Sequence, residues 1–257
     1  MKIVGIIPSH LNSIRFPKKI LYKINDLPMI EHVRRRALIS KQFDEVIVCT
    51  CDLQIKKVVN SYKGKVVLTS RKHKNGTSRV TEAIKKIKAS HIVIIQGDEP
   101  LIDPKYFNLF IKNIKNDQYR KNIHAWNLIS QINKNSHLKN PTFVKCRINK
   151  YNLIDELYRF EKQKKTKNNK YKILGLIGFK RETLNKIKNF KPSADEKKES
   201  IEQLRIIENK MNLKGIKVKV PLPSVNEFSD LKEVHKLLKI DKNQKKIYEK
   251  IIKINLN

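Results

Sequence analysis

Three short segments concentrate the residue types that handle anions and metal ions. The first is Pro8-Ser9-His10-Leu11-Asn12-Ser13-Ile14-Arg15-Phe16-Pro17-Lys18-Lys19. A basic loop that leaves a buried strand presents backbone N–H groups and cations to a phosphate. It lacks the glycines of a Walker loop and so is not one. The second is Gln96-Gly97-Asp98-Glu99-Pro100. A carboxylate at the end of a buried strand is placed to hold Mg²⁺ against a triphosphate. The third is His73-Lys74-Asn75-Gly76-Thr77-Ser78-Arg79. Gly76 permits a tight turn, and Thr77 is a candidate cap for a helix that begins near Arg79. A helix start of this kind suits an anionic ligand. Taken singly, each segment is as well explained as a solvated basic loop, an acidic turn or a capped surface turn.

The elements around these segments give them a common setting. Apolar runs at 3–8, 45–50, 65–69 and 91–96 read as strands. Between them, 28–40, 53–61 and 79–88 carry helical periodicity, and Asp103-Pro104 opens a further helix. Alternating strands and helices predict a doubly wound α/β fold with a mostly parallel, Rossmann-like central sheet. Ligands of such sheets bind beyond the carboxyl ends of the strands. All three segments fall there. Later in the chain, 144–148 and 174–179 read as strands around a polar loop at 163–172. The region 196–209 reads as one helix. Gly215 reads as a break before a strand at 216–220, and 229–240 as a helix capped by Ser229. The tail at 241–257 is amphipathic and basic. No linker separates independent domains, so the 257 residues are expected to form a single domain.

Composition narrows the function classes. Hydrophobic residues make up 39% and charged residues 32%, as in a soluble globular protein. No apolar run approaches the roughly 18–20 residues that span a bilayer. The first apolar run is short and ends at Pro8, which reads as a buried strand and not a signal peptide. Cys49, Cys51 and Cys146 form no disulfide framework and no metal-ligand spacing, consistent with reduced thiols in a cytoplasmic protein. The formal charge of +33 is spread over nearly every segment, the pattern of a compositional bias. The chain has no zinc-finger spacing, no RNA-recognition signature and no concentrated basic helix, which argues against a specific nucleic-acid partner.

Taken together, the segments resemble the 3-deoxy-manno-octulosonate (Kdo) cytidylyltransferases. The family opens with a strand followed by P-A-R-x-x-S-x-R-L-P-x-K-P-L. Pro8, Ser13, Arg15, Pro17, Lys19 and Leu21 stand at the matching spacing. The family's H-x-S-G-T-E-R is matched by His73, Gly76, Thr77 and Arg79, and its Q-G-D-E-P is intact at Gln96 to Pro100. N-P-x-x-V-K appears as Asn140 to Lys145, and E-Q-L-R as Glu202 to Arg205 with Glu196 and Glu199 in step. Arg159 falls opposite the arginine of the family's F-S-R segment. The resemblance runs to about residue 240.

The resemblance implies a nucleotidyltransferase fold, CTP and an acidic sugar as substrates, Mg²⁺, and a homodimer with a sugar-binding and dimerisation subregion at about 130–190. It implies that Arg15 and Lys19 bind the CTP phosphates, and that Lys19, Asp98 and Arg15 carry catalysis. Pro8, Ser9, His10, Ser13, Asn75, Arg79 and Gln96 are then expected around the nucleotide. Arg159, Glu202 and Gln203 are expected at the sugar acid, and Asp98 with Asn226 at the metal. Several positions depart from the family pattern. His10 replaces an arginine, Ser78 an acidic residue, and Ile173 and Ile177 a histidine and a tyrosine. Asn226, followed by Glu227, replaces the second metal-binding aspartate. Three readings stay open beside activation of Kdo: another acidic sugar such as an amino-Kdo or a nonulosonic acid, a nucleotide-binding homologue without turnover, and a basic nucleic-acid binder.

Overall fold

A computed structural model describes residues 1–132, 138, 140–160, 170–219, 221 and 223–254. Two compact units divide the chain, one of residues 1–111 with 222–257 and one of 112–221.

The first unit is built on four parallel strands: β1 (Ile3–Ser9), β4 (Glu45–Thr50), β5 (Lys65–Leu68) and β6 (His91–Ile95). Their order is β6-β1-β4-β5, all in parallel register. β1 and β6 are almost wholly buried, as strands covered on both faces must be. A small hairpin, β2 (Lys23–Ile24) and β3 (Leu27–Pro28), precedes helix α1 (Met29–Ile39). Helices α2 (Leu53–Ser61), α3 (Gly76–Ala83) and α4 (Pro104–Asn116) follow β4, β5 and β6 in turn. The strand and helix alternation expected from sequence is therefore present, and its loops leave the strands at their carboxyl ends.

The second unit carries β7 (Ala125–Gln131), β8 (Lys145–Ile148), β9 (Ile154–Tyr158), β10 (Lys170–Lys180) and β11 (Leu213–Val218). β11 lies parallel to β7, β7 antiparallel to β10, and β8 joins β10 to β9 in antiparallel pairs. Three short helices complete it: α5 (Arg181–Ile187), α6 (Ala194–Glu199) and α7 (Leu204–Glu208). The fully buried Asn127 donates to the Leu174 and Leu176 carbonyls at 3.1 and 3.2 Å, holding the irregular register between Ile173 and Ile177. The chain then returns to the first unit through α8 (Leu231–Ile240) and α9 (Lys242–Ile252).

Several expected boundaries move, each for a local reason. The helix expected at 79–88 starts at Gly76, because the Asn75 carbonyl oxygen Oδ1 accepts the Ser78 N–H at 2.9 Å and takes the capping role expected of Thr77. The helix expected at 196–209 is two, broken by a left-handed Ser200 with φ 53° that lets Ile201 turn into the core. Gly215 does not break a strand but lies within β11. A Cβ there would sit 2.7 Å from Ile129 Cδ1, so the glycine admits close packing on β7. Residue 220, the expected strand end, lies outside the described residues. Glu227, not Ser229, caps the turn that leads into α8. Of the loop expected at 163–172, residues 163–169 lie outside the described residues, and 170–172 begin β10. The basic tail is mostly the folded helix α9. Its Ile247 and Ile251 pack beside Leu27, and Arg35 Nη1 donates to the Ile251 carbonyl at 2.7 Å. Among the described residues no helix is long and apolar enough to cross a membrane.

Candidate active site

β1 delivers the first segment to the carboxyl end of the sheet, where two anchors shape it. Leu11 N–H donates to Asp52 Oδ2 at 2.9 Å, and Lys18 N–H closes the loop onto the Leu11 carbonyl at 3.0 Å. Lys18 itself is left-handed, with φ 55°. At the far side Phe16 is buried, edge-on to Tyr22 and to Phe228 with centroids 5.4 Å apart in both pairs. The loop is thus plugged into a core of Ile24, Met29, Leu101 and Val225. Ile14 and Arg15 are left exposed at its tip.

Beside this loop is a cleft of about 390 Å³. Pro8, Ser9, His10, Asn75, Arg79 and Gln96, six of the residues expected around a nucleotide, line it together. Ser13, Arg15 and Lys19 are not in its wall. Asn12, Cys51, Asp52, Arg71, His73, Lys74 and Gly76 complete the lining. Asp52 had the same signal as Asp98, a carboxylate just past a buried strand. Arg71 and Lys74 had none beyond their proximity to His73. Arg79 is buried, and its Nη1 donates to Thr69 Oγ1 at 2.8 Å. His73 bridges Ser78 Oγ, at 3.2 Å, and Glu82 Oε2, at 2.5 Å. That contact with His73 holds the Glu82 carboxyl below its ordinary range. Ser9 Oγ is buried with no hydrogen-bond partner among the described residues.

A junction of three segments follows Gln96. Lys19 Nζ, at the start of a single 3₁₀ turn, lies 2.8 Å from Asp98 Oδ2 and 2.8 Å from the Val225 carbonyl. Val225 N–H in turn donates to the Asp98 carbonyl at 2.8 Å. Gly97 makes this possible, since a Cβ there would meet Ile20 Cδ1 at 2.7 Å. Asn226 is the next residue on, its N–H held by Asp230 Oδ2 at 2.7 Å and its Nδ2 donating to Ser224 Oγ at 3.1 Å. Glu227 is occupied elsewhere. Its carboxylate caps the turn Phe228–Asp230 and accepts from Ser229 Oγ at 2.7 Å.

The residues expected at a sugar acid fall in the second unit. Arg159 Nε donates to the Glu199 carbonyl at 2.7 Å, and Nη1 to the Pro141 and Thr142 carbonyls at 3.0 and 3.1 Å. Nη2 reaches the Ser200 carbonyl at 3.3 Å. The guanidinium therefore ties two loops together. Glu202 and Gln203 are half-buried in the turn between α6 and α7, beside the Glu196–Arg205 ion pair. Ile177 is buried in β10 and Ile173 half-buried.

Comparison with known proteins adds the decisive observation. The cytidylyltransferase family model matches residues 4–249. A 3-deoxy-manno-octulosonate cytidylyltransferase of Thermodesulfovibrio yellowstonii is 35% identical, over 89% of this chain and 92% of its own length. The chain belongs to the 3-deoxy-manno-octulosonate cytidylyltransferase family. One of Fusobacterium nucleatum is 33% identical over 93% of this chain and 98% of its own. The solved CMP:2-keto-3-deoxy-manno-octonic acid synthetase complexed with CTP superposes with a TM-score of 0.86 at 28% identity, covering 93% of this chain and 99% of that one. A cytidylyltransferase structure from Leptospira borgpetersenii, at 16% identity and a TM-score of 0.64, shares the fold.

The chain is thus a nucleotidyltransferase, an enzyme class that works with a divalent metal ion. Among its described residues no group of three or more His, Cys, Asp or Glu is gathered to hold a metal. Lys19 engages Asp98 at Oδ2, and Asn226 lies one residue past Val225, whose N–H donates to the Asp98 carbonyl. One carboxylate and one neutral oxygen fit a hard ion that draws its remaining ligands from phosphates and water.

Proposed function

We propose that the protein transfers CMP from CTP to the anomeric hydroxyl of Kdo or a close 3-deoxy-2-keto sugar acid and releases pyrophosphate. The observation that carries this reading is the convergence of Lys19 and Asp98, 79 positions apart, beside a cleft lined by His10, Asn75, Arg79 and Gln96. The hydroxyl oxygen attacks the α-phosphorus, the bond to the β-phosphate oxygen breaks, and the hydroxyl proton is released. Both reactants are anions, so their approach requires cations fixed in place before reaction. Lys19 is fixed by two contacts, and on this reading its ammonium counters the charge that develops on the α-phosphate. Arg79 and His10, both in the cleft lining, add positive charge for the nucleotide. Arg15, exposed at the loop tip, reaches the triphosphate from outside the cleft wall. Asp98 and Asn226 would hold Mg²⁺, which would supply charge neutralisation at the phosphates. Arg159, Glu202 and Gln203 position the sugar acid, Arg159 chiefly by holding the loops at 141–142 and 199–200. The enzyme works as a cytoplasmic homodimer for surface polysaccharide synthesis.

The test is pyrophosphate release with CTP and Mg²⁺ over a panel of 2-keto sugar acids. Kdo or a near relative gives CTP-dependent release. CTP binding without turnover on any member of the panel sinks the reading in favour of a nucleotide-binding homologue.

A further inference from the structure

We infer that His10 couples nucleotide binding to proton uptake, so that the affinity for CTP falls as pH rises. The inference rests on the reading of the cleft as the CTP site and adds a regulation of that site. His10 leaves β1 at the cleft wall, in a lining that also carries Arg71, His73, Lys74 and Arg79 against the single carboxylate of Asp52. The charges that act on its ring come from four segments: Arg79 of α3, Asp52 after β4, Lys19 of the 3₁₀ turn and Asp98 after β6. Lost hydration acts most strongly on the ring, and the Arg79 charge next. Together they hold His10 below its ordinary 6.5, Lys19 acting the same way while Asp52 and Asp98 oppose. The free ring therefore binds a proton less readily than an ordinary histidine, although the residue is exposed overall.

A triphosphate placed in the cleft reverses the local field. It favours the imidazolium, which then donates from both ring nitrogens. The imidazole pKa is higher in the complex than in the free protein, so binding takes up a proton between the two values. Affinity is greatest at low pH, where the ring is already charged. It falls as pH rises through the pKa of the complex and levels off above it. A rise of one pKa unit on binding corresponds to an about tenfold change in affinity across that range. An arginine in its place keeps its charge at every relevant pH and produces no such dependence.

The experiment is titration calorimetry of the full chain with CTP and Mg²⁺ from pH 5.5 to 8.5, in buffers of differing ionisation enthalpy. Wild type is compared with His10→Asn and His10→Arg. The γ-phosphate of CTP titrates in the same range, but equally for all three proteins. Wild type is expected to take up additional protons relative to His10→Asn. Its affinity advantage over that variant shrinks about tenfold or more toward pH 8.5, whereas the advantage of His10→Arg stays level. Equal proton uptake and a constant affinity ratio overturn the inference while leaving the CTP site intact. Absence of CTP binding in all three overturns both. NMR titration of the His10 ring in wild type, without and with CTP, is independent of the variants. A pKa that does not rise on CTP addition is equally fatal to the coupling.

Discussion

Replacing Lys19 by methionine separates catalysis from stability. The substitution keeps an unbranched side chain and removes the ammonium that lies 2.8 Å from both Asp98 Oδ2 and the Val225 carbonyl. The side chains of the pair are 16% and 27% exposed, so solvent screens the attraction between them. Ion pairs with this much exposure contribute about 1 kcal/mol or less to folding. The Val225 carbonyl keeps its place in the junction through the adjoining Val225 N–H bond to Asp98. On the proposed mechanism the same ammonium counters charge on a five-coordinate phosphorus in the transition state. Loss of one such contact lowers kcat by about 10² to 10³, or about 2.7 to 4 kcal/mol. The catalytic loss therefore exceeds the folding loss by about 2 kcal/mol. Steady-state kinetics with saturating CTP, set against urea unfolding of the same variant, read the two quantities. A stability loss of about 3 kcal/mol with kcat within about threefold of wild type refutes the argument and makes Lys19 a structural tie between Asp98 and Val225.

Asp98→Asn is expected to nearly abolish turnover, Asn226→Asp to lower the Mg²⁺ concentration for half-maximal rate, and Glu227→Gln to leave that concentration unchanged because Glu227 is committed to its cap; Mg²⁺-dependent rates of the three variants check this. Phe228→Ala removes two edge-on ring contacts, to Phe16 and Tyr22, and so costs about 1–3 kcal/mol of stability. It also raises the KM for CTP several-fold by loosening the loop, which thermal melts and kinetics resolve. Acid destabilises the first unit through His32. This ring is fully buried, stacked on Tyr248 and bonded to the Ile24 carbonyl, and burial lowers its pKa from 6.5 to about 4. The depressed value means that the stability is fully present above pH 6.5 and lost as pH falls toward 4. The loss is up to about 3 kcal/mol. Urea unfolding at pH 7 and pH 4.5 measures it, and in His32→Phe this part of the pH dependence is absent.

Much of the architecture is legible in the chain itself. Buried parallel strands are apolar almost throughout, so 45–50 and 91–96 announce themselves, and Asp103-Pro104 marks the start of α4 by its own backbone chemistry. Motifs with fixed spacing, such as Gln96 to Pro100, carry their identity locally. Asn75, Arg79, Gln96, Pro8, Ser9 and His10 were nameable because their segments match the cytidylyltransferase motifs, and those segments lie at or after the ends of β1, β5 and β6. The strands at 125–131 and 154–158 were not visible, since Trp126, Asn127 and Ser130 are polar or amphipathic residues whose burial depends on partners outside their own strand. Asp117, nine residues away, takes the Trp126 indole N–H, and the carbonyls near residue 175 take the Asn127 amide. The same holds at the site. Sequence places a lysine at 19, a carboxylate at 98 and an amide at 226. Only the folded chain brings Val225 between the first two, turns Glu227 away to cap a helix, and spends Arg159 on four carbonyls. Residue type fixes what a side chain can do, but long-range hydrogen bonds and burial decide which of those capacities remains for a ligand.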